Sequence, residues 1–145
     1  MKISNYMVWP FTAREEGDGI FSIGFDGLDP VAVKATEKEI QKKVLEAFIL
    51  IAEERLQHRI LMPVPAVKNA EHILTIPFVM AMKIMLWNEL IKRGISKAEL
   101  ARRVGVRAQV MIQLFNLRTN IMSSGLDTLV NGFKAIGMTV EFTAD

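Results

Sequence analysis

Hydrophobic residues recur with a period near two at the start of this chain and near 3.6 further on, and the changes of period mark its elements. Asn5 to Ala13 mixes Tyr6, Val8, Trp9 and Phe11 with smaller residues, and Ile20 to Phe25 alternates Phe21, Ile23 and Phe25 with Ser22 and Gly24, so both segments predict strands. Between them Glu15-Glu16-Gly17-Asp18-Gly19 is dense in turn formers and predicts a hairpin. A second turn, Asp26 to Pro30, precedes a short third strand, Val31 to Lys34. Thr36 and Glu39 have capping-box spacing. The helix predicted to follow runs to about Gln57, with Ile40, Val44, Leu45, Phe48, Ile51, Ala52 and Leu56 as the stripe that faces the sheet. Pro63 and Pro65 stiffen a connector over residues 61–70, and His72 to Ile76 predicts a fourth strand.

The second half is helical in pattern. Pro77 suits the first turn of a helix from Phe78 to Arg93, closed by Gly94. The apolar run Ile76 to Trp87 is too short and too interrupted to span a bilayer, so it reads as a buried helix. Ser96 and Glu99 repeat the capping-box spacing and start a short helix with Leu100, Ala101 and Val104 on one face. Gly105 then breaks the run at a sharp turn. In the next helix Val106, Met111, Leu114 and Phe115 point inward, while Arg107, Ala108, Gln109, Val110 and Gln113 are left outward, which is the pattern of a helix-turn-helix. Leu117 to Ser123 reads as loop. Ser124 and Asp127 open a last helix, ended by Gly137, with Leu126, Leu129, Val130, Phe133 and Ile136 inward. Met138, Val140 and Phe142 alternate with polar residues and predict a closing strand, whose expected partner is the same strand of a second copy across a two-fold axis. The expected fold class is therefore α+β: a β-β-β-α-β module over residues 1–76, then a helical domain over 77–145 that ends in a short strand.

Charge sharpens this division. The formal net charge of +2 conceals nine basic against eleven acidic residues before Pro77 and nine against five from Pro77 onward. From Leu90 to Asn120 the chain carries Lys92, Arg93, Lys97, Arg102, Arg103, Arg107 and Arg118 against the single acid Glu99. A cationic cluster around a two-helix turn is the electrostatic footprint of a DNA reader. The absence of cysteine rules out disulfides and thiolate metal sites and makes the reducing cytoplasm the expected compartment. His58 and His72 lack metal-ligand spacing, and no cofactor is expected. Glu15, Glu16, Asp18, Asp26 and Asp29 would have to gather around two divalent ions to form a nuclease site, but most sit in turn sequences, so the chain is not expected to be an enzyme.

Within this order of elements stand Ile76-Pro77, the ELARR of Glu99 to Arg103, Gly105, the LFN of Leu114 to Asn116, and the Gly137 break. On these residues and that order the chain resembles the HicB family of type II antitoxins. ELARR and LFN also occur in phage-repressor-like (XRE-type) helix-turn-helix domains generally. The resemblance implies an N-terminal partial ribonuclease H-like module that binds and blocks a HicA-like toxin, a small messenger-RNA-cleaving protein. It also implies a C-terminal domain that binds operator DNA as a homodimer. The chain departs from the family at Ala32-Val33-Lys34-Ala35, where members commonly carry a glycine-rich strand. By position, Arg107, Ala108, Gln109 and Val110 would occupy the major-groove end of the recognition helix, with Gln113 one turn on. Gln109 or Gln113 would suit adenine, and Arg107 guanine or a phosphate. Lys97, Asn116 and Arg118 would take phosphates. The residues also admit plainer roles: Gln109 solvated, Arg103 paired with Glu99, Asn116 capping its own helix. At the level of function the alternative is a dimerising protein-interaction module that binds no DNA.

Overall fold

The computed structural model describes residues 2–66, 70–119 and 123–139. A 3-10 turn, Ile3–Tyr6, leads into β1 (Val8–Gly17), which pairs antiparallel with β2 (Ile20–Phe25) and with β4 (His72–Thr75). β3 (Val31–Lys34) pairs antiparallel with β2, which gives the order β3-β2-β1-β4. The register sets Phe11 opposite Phe25, Ala13 opposite Ile23 and Trp9 opposite Leu74. Trp9, Phe11, Ile23, Phe25 and Leu74 therefore share one buried face, and Thr12, Arg14, Ala32, Lys34 and Ile73 lie exposed on the other.

β1 differs from its expected range at both ends. It starts at Val8 because the preceding residues wind into the 3-10 turn, where the Tyr6 carbonyl accepts the Trp9 indole N–H at 2.7 Å. It continues through Arg14, Glu15 and Glu16 because the turn itself is only Asp18-Gly19, with φ of 53° and 73°. A two-residue loop with both φ positive matches the right-handed twist of the flanking strands, so the charged residues before it stay in the ladder. Glu16 is the extra residue between the pairs Glu15–Phe21 and Gly17–Ile20, a local bulge.

The buried face is covered by α1 (Ile40–Gln57), whose Phe48 ring lies 4.8 Å from Trp9 and 5.5 Å from Phe25. α1 begins a turn later than its capping-box spacing predicts. The Glu39 carboxylate does reach back to the Thr36 N–H at 3.2 Å, but the Thr36 hydroxyl donates to the same carboxylate at 2.8 Å instead of capping the helix.

Four more helices follow: α2 (Phe78–Arg93), α3 (Lys97–Val104), α4 (Ala108–Leu114) and α5 (Ser123–Ala135). α2 is buried at every position from Met80 to Leu90 and packs against the 3-10 turn, α1 and α5. A helix buried all round is the axis of its fold. α5 approaches it closely at Gly132, where a Cβ would come within 3.0 Å of a Leu86 methyl. Inside α2, Asn88 donates to the Met62 carbonyl at 2.8 Å and to the Tyr6 hydroxyl at 3.3 Å, and accepts from the Met62 N–H at 2.9 Å. The connector between α1 and β4 is thus pinned to a helix side chain that satisfies both backbone groups of Met62. One hydrophobic cluster runs from Ile3 to Ile136. The closing strand expected over Met138, Val140 and Phe142, and its pairing across a two-fold axis, lies outside the described residues from position 140 onward.

Asn88→Leu leaves the Met62 N–H and carbonyl buried without partners. It should lower the unfolding free energy by about 2–4 kcal/mol. Urea denaturation of the variant beside the parent chain measures this directly, and a loss below about 0.5 kcal/mol would show that the pin contributes nothing net.

Candidate nucleic-acid interface

α3 is set by Ser96, whose hydroxyl accepts the Glu99 N–H at 3.0 Å. Only this half of the box forms, because the Glu99 carboxylate is engaged elsewhere. Gly105 ends the helix at φ 89°, a conformation that suits glycine, and both its N–H and that of Val106 bond the Ala101 carbonyl at 2.8 and 3.0 Å. The chain reverses there, and Arg107 becomes the residue before α4. Leu100, Ala101, Met111, Leu114 and Phe115 are buried together, with Phe115 edge-on to Trp87 at 5.7 Å. Arg107, Ala108, Gln109, Val110 and Gln113 are all exposed, so α4 presents the five residues expected to point outward. Ile112, which the spacing did not single out, joins them at 48% exposure.

The basic cluster is less available than its count suggests. Arg102 and Arg103 both bond the Glu99 carboxylate, which holds its pKa down to about 2. Lys92 and Arg93 lie 3.3 and 3.4 Å from Glu89, an acid one residue ahead of the basic window. Arg118 reaches Glu53 of α1 at 3.2 Å. The Lys97 amine sits 3.6 Å over the Trp87 ring and 5.2 Å from the centre of Phe115, and burial pulls its pKa to about 8. Arg107 forms no ion pair with any described residue.

The turn after α4 is held from within. Asn116 is exposed, yet its Oδ1 accepts the Arg118 N–H at 3.0 Å, so the side chain organises its own turn. The Lys83 amine, from the middle of α2, donates to the carbonyls of Asn116 and Thr119 at 2.6 and 2.7 Å and lies 3.4 Å from the Thr119 hydroxyl. Lys83 is fully buried, and burial lowers its pKa to about 8, which leaves it protonated at neutral pH. In sequence it reads only as a break in an apolar run.

Among the described residues no three His or carboxylate groups gather to hold a metal ion. Glu15, Glu16 and Asp18 stand at the tip of the β1–β2 hairpin, whereas Asp26 follows its base, where its N–H meets the Pro10 carbonyl. Five or six strand residues, roughly 15–20 Å, separate the two groups. No described helix is long and apolar enough to cross a membrane.

No protein-family model matches the chain. It is 26% identical over 133 residues to Antitoxin HicB of Escherichia coli strain K12, a match that spans 90% of this chain and 94% of that one. It is 31% identical over 104 residues to Antitoxin HicB 2 of Photorhabdus laumondii, covering 72% of this chain and 69% of that protein. The chain belongs to the HicB antitoxin family. A shorter stretch of 40 residues is 48% identical to Antitoxin HicB of Pseudomonas fluorescens, over 28% of this chain and 27% of the relative. As a HicB member the chain is an antitoxin and not an enzyme, and the partner of an antitoxin is a toxin.

Lys83 ties the site to pH. Its folded pKa of about 8 lies below the ordinary lysine value of 10.5, so between those pH values the unfolded chain binds more protons at this position. Stability contributed by this site therefore rises with pH across that window and is constant below it. Urea melts from pH 7 to 10 should show the parent chain gaining on a Lys83→Met variant above pH 8. A difference that stays flat would contradict the lowered pKa.

Proposed function

We propose that this HicB member represses its own operon by binding operator DNA through α4 and neutralises a HicA-like, messenger-RNA-cleaving toxin through its sheet module, acting as a cytoplasmic homodimer. In this reading α3, Gly105 and α4 form an XRE-type helix-turn-helix, with residues 77–145 as the DNA-binding and dimerisation domain. Residues 1–76, a partial ribonuclease H-like module, hold the toxin. The observation that carries the DNA half is the exposed face of α4, where Arg107, Ala108, Gln109, Val110 and Gln113 stand together on a helix whose other side is locked into the core.

An α-helix with its side chains is about 10–12 Å across, which matches a major groove about 12 Å wide. Gln109 and Gln113 match the donor and acceptor of adenine, and Arg107, unpaired within the described chain, takes guanine or a phosphate. Lys97, Asn116 and Arg118 contact phosphates, although Lys97 must first leave the Trp87 ring and Arg118 must leave Glu53. Two α4 helices of a dimer then engage half-sites about 34 Å apart.

A dimerising module without DNA binding is the second reading. Val110 and Ile112, exposed by 37% and 48% on α4, favour it, because apolar side chains suit a protein partner as well as a base edge.

Mobility shifts on the chain's own promoter, against random DNA over a range of salt, separate the two. Arg107→Glu is expected to abolish selective binding. Gln113→Ala should relax preference at one base position by about 1–3 kcal/mol. Promoter binding that tolerated Arg107→Glu would move the interface off α4, and no binding up to micromolar protein would leave the dimerising module.

A further inference from the structure

The pair between Arg118 and Glu53 joins a residue proposed to hold phosphate to a helix that packs on the sheet. We infer that Glu53 sets how strongly the α4 face holds the DNA backbone, by competing with phosphate for Arg118. The inference rests on the DNA-binding reading above and adds to it a residue far from α4 in sequence.

Three observations carry it. The pair is short, 3.2 Å, but open, with 46% of the Arg118 side chain and 25% of the Glu53 side chain exposed. An ion pair of that kind holds its partners weakly, so phosphate can displace the carboxylate. Glu53 is also the one carboxylate among the described residues that line the cleft between α1 and α4, and Lys97 lines the same cleft. One acid thus shares a cleft with Lys97, Asn116 and Arg118, the three residues proposed for phosphate. Third, Lys92, Arg93, Arg102 and Arg103 have carboxylate partners of their own on α2 or α3, and the unpaired Arg107 stands at the opposite end of α4 from Arg118. A molecule that keeps the pair forfeits one phosphate contact, and each such contact adds about 0.9 to the slope of log affinity against log salt. α1 presents Glu53 from a helix fixed on the sheet by Phe48, which packs against Trp9 and Phe25.

The test is equilibrium titration of the full chain against its promoter fragment and a random duplex over a range of sodium chloride, with Glu53→Gln, Arg118→Gln and the double variant. Glu53→Gln should bind random duplex about three- to tenfold more tightly and steepen its salt slope by about one per protomer. Adding Arg118→Gln should erase both gains, and Arg118→Gln alone should weaken binding to random duplex by a smaller factor than Glu53→Gln strengthens it. Two results overturn the inference while the DNA reading stands: parent-like affinity and slope for Glu53→Gln, or a double variant that keeps the gain, which would mean simple repulsion by the carboxylate. If the parent chain and Glu53→Gln both bind neither duplex, the DNA reading itself fails and the inference falls with it.

Discussion

Burial of α2 on every side is the constraint from which the rest of the structure follows. A helix with no solvent-facing stripe can carry polar side chains only if each finds a partner, and among the described residues no buried side-chain nitrogen or oxygen lacks one. The three polar residues buried there organise three regions. Asn88 fixes the connector that returns the chain to β4. Lys83 gathers the turn after α4. Glu89 holds Arg93, whose guanidinium also donates to the Ile136 carbonyl at the end of α5. Each costs desolvation, and each is offset by bonds that also fix a neighbouring segment in one place.

The electrostatics follow the same logic of internal satisfaction. A count of basic residues describes a strongly positive surface, but Glu53, Glu89 and Glu99 each sit within reach of one or two of those cations, and Trp87 covers another. Half-exposed pairs add little to stability, so their effect is better sought in what they withhold from solution. A helical half that pairs five of its seven cations between Leu90 and Asn120 has less sequence-independent attraction for DNA than its charge implies.

Local pattern made the elements readable. The alternation of Phe21, Ile23 and Phe25 and the stripe from Val44 to Leu56 identified a sheet and its covering helix, and Gly94 and Gly105 marked where helices end. The capping spacing located the start of α3 but put that of α1 a turn early, and neither showed which half of its box would form, because Thr36 and Glu99 each had a competing partner. The outward face of α4 was legible for the same periodic reason, apart from Ile112. Charge pairing was not. Arg118 and Glu53, 65 positions apart in sequence, are brought together only by the fold, and Glu89 lies one residue before the cationic stretch that begins at Leu90. Lys83 was visible as an oddity in an apolar run, but its role depends on a turn some thirty residues away.

These two lessons meet in how a HicB protein of this build would read DNA. If α4 enters the groove as proposed, few free cations are left to supply backbone affinity, and a larger share of binding must come from base contacts and from the second subunit. Base contacts discriminate and phosphate contacts do not, so withholding phosphate contacts weakens operator and random sequence by similar factors and leaves random sequence, which has no base contacts to add, the first to go unoccupied. The internal pairs then serve selectivity rather than stability. The same continuous core links α1, which presents Glu53, to the turn that presents Arg118, so any partner that shifts α1 against that turn would change the charge offered to DNA without touching the recognition helix.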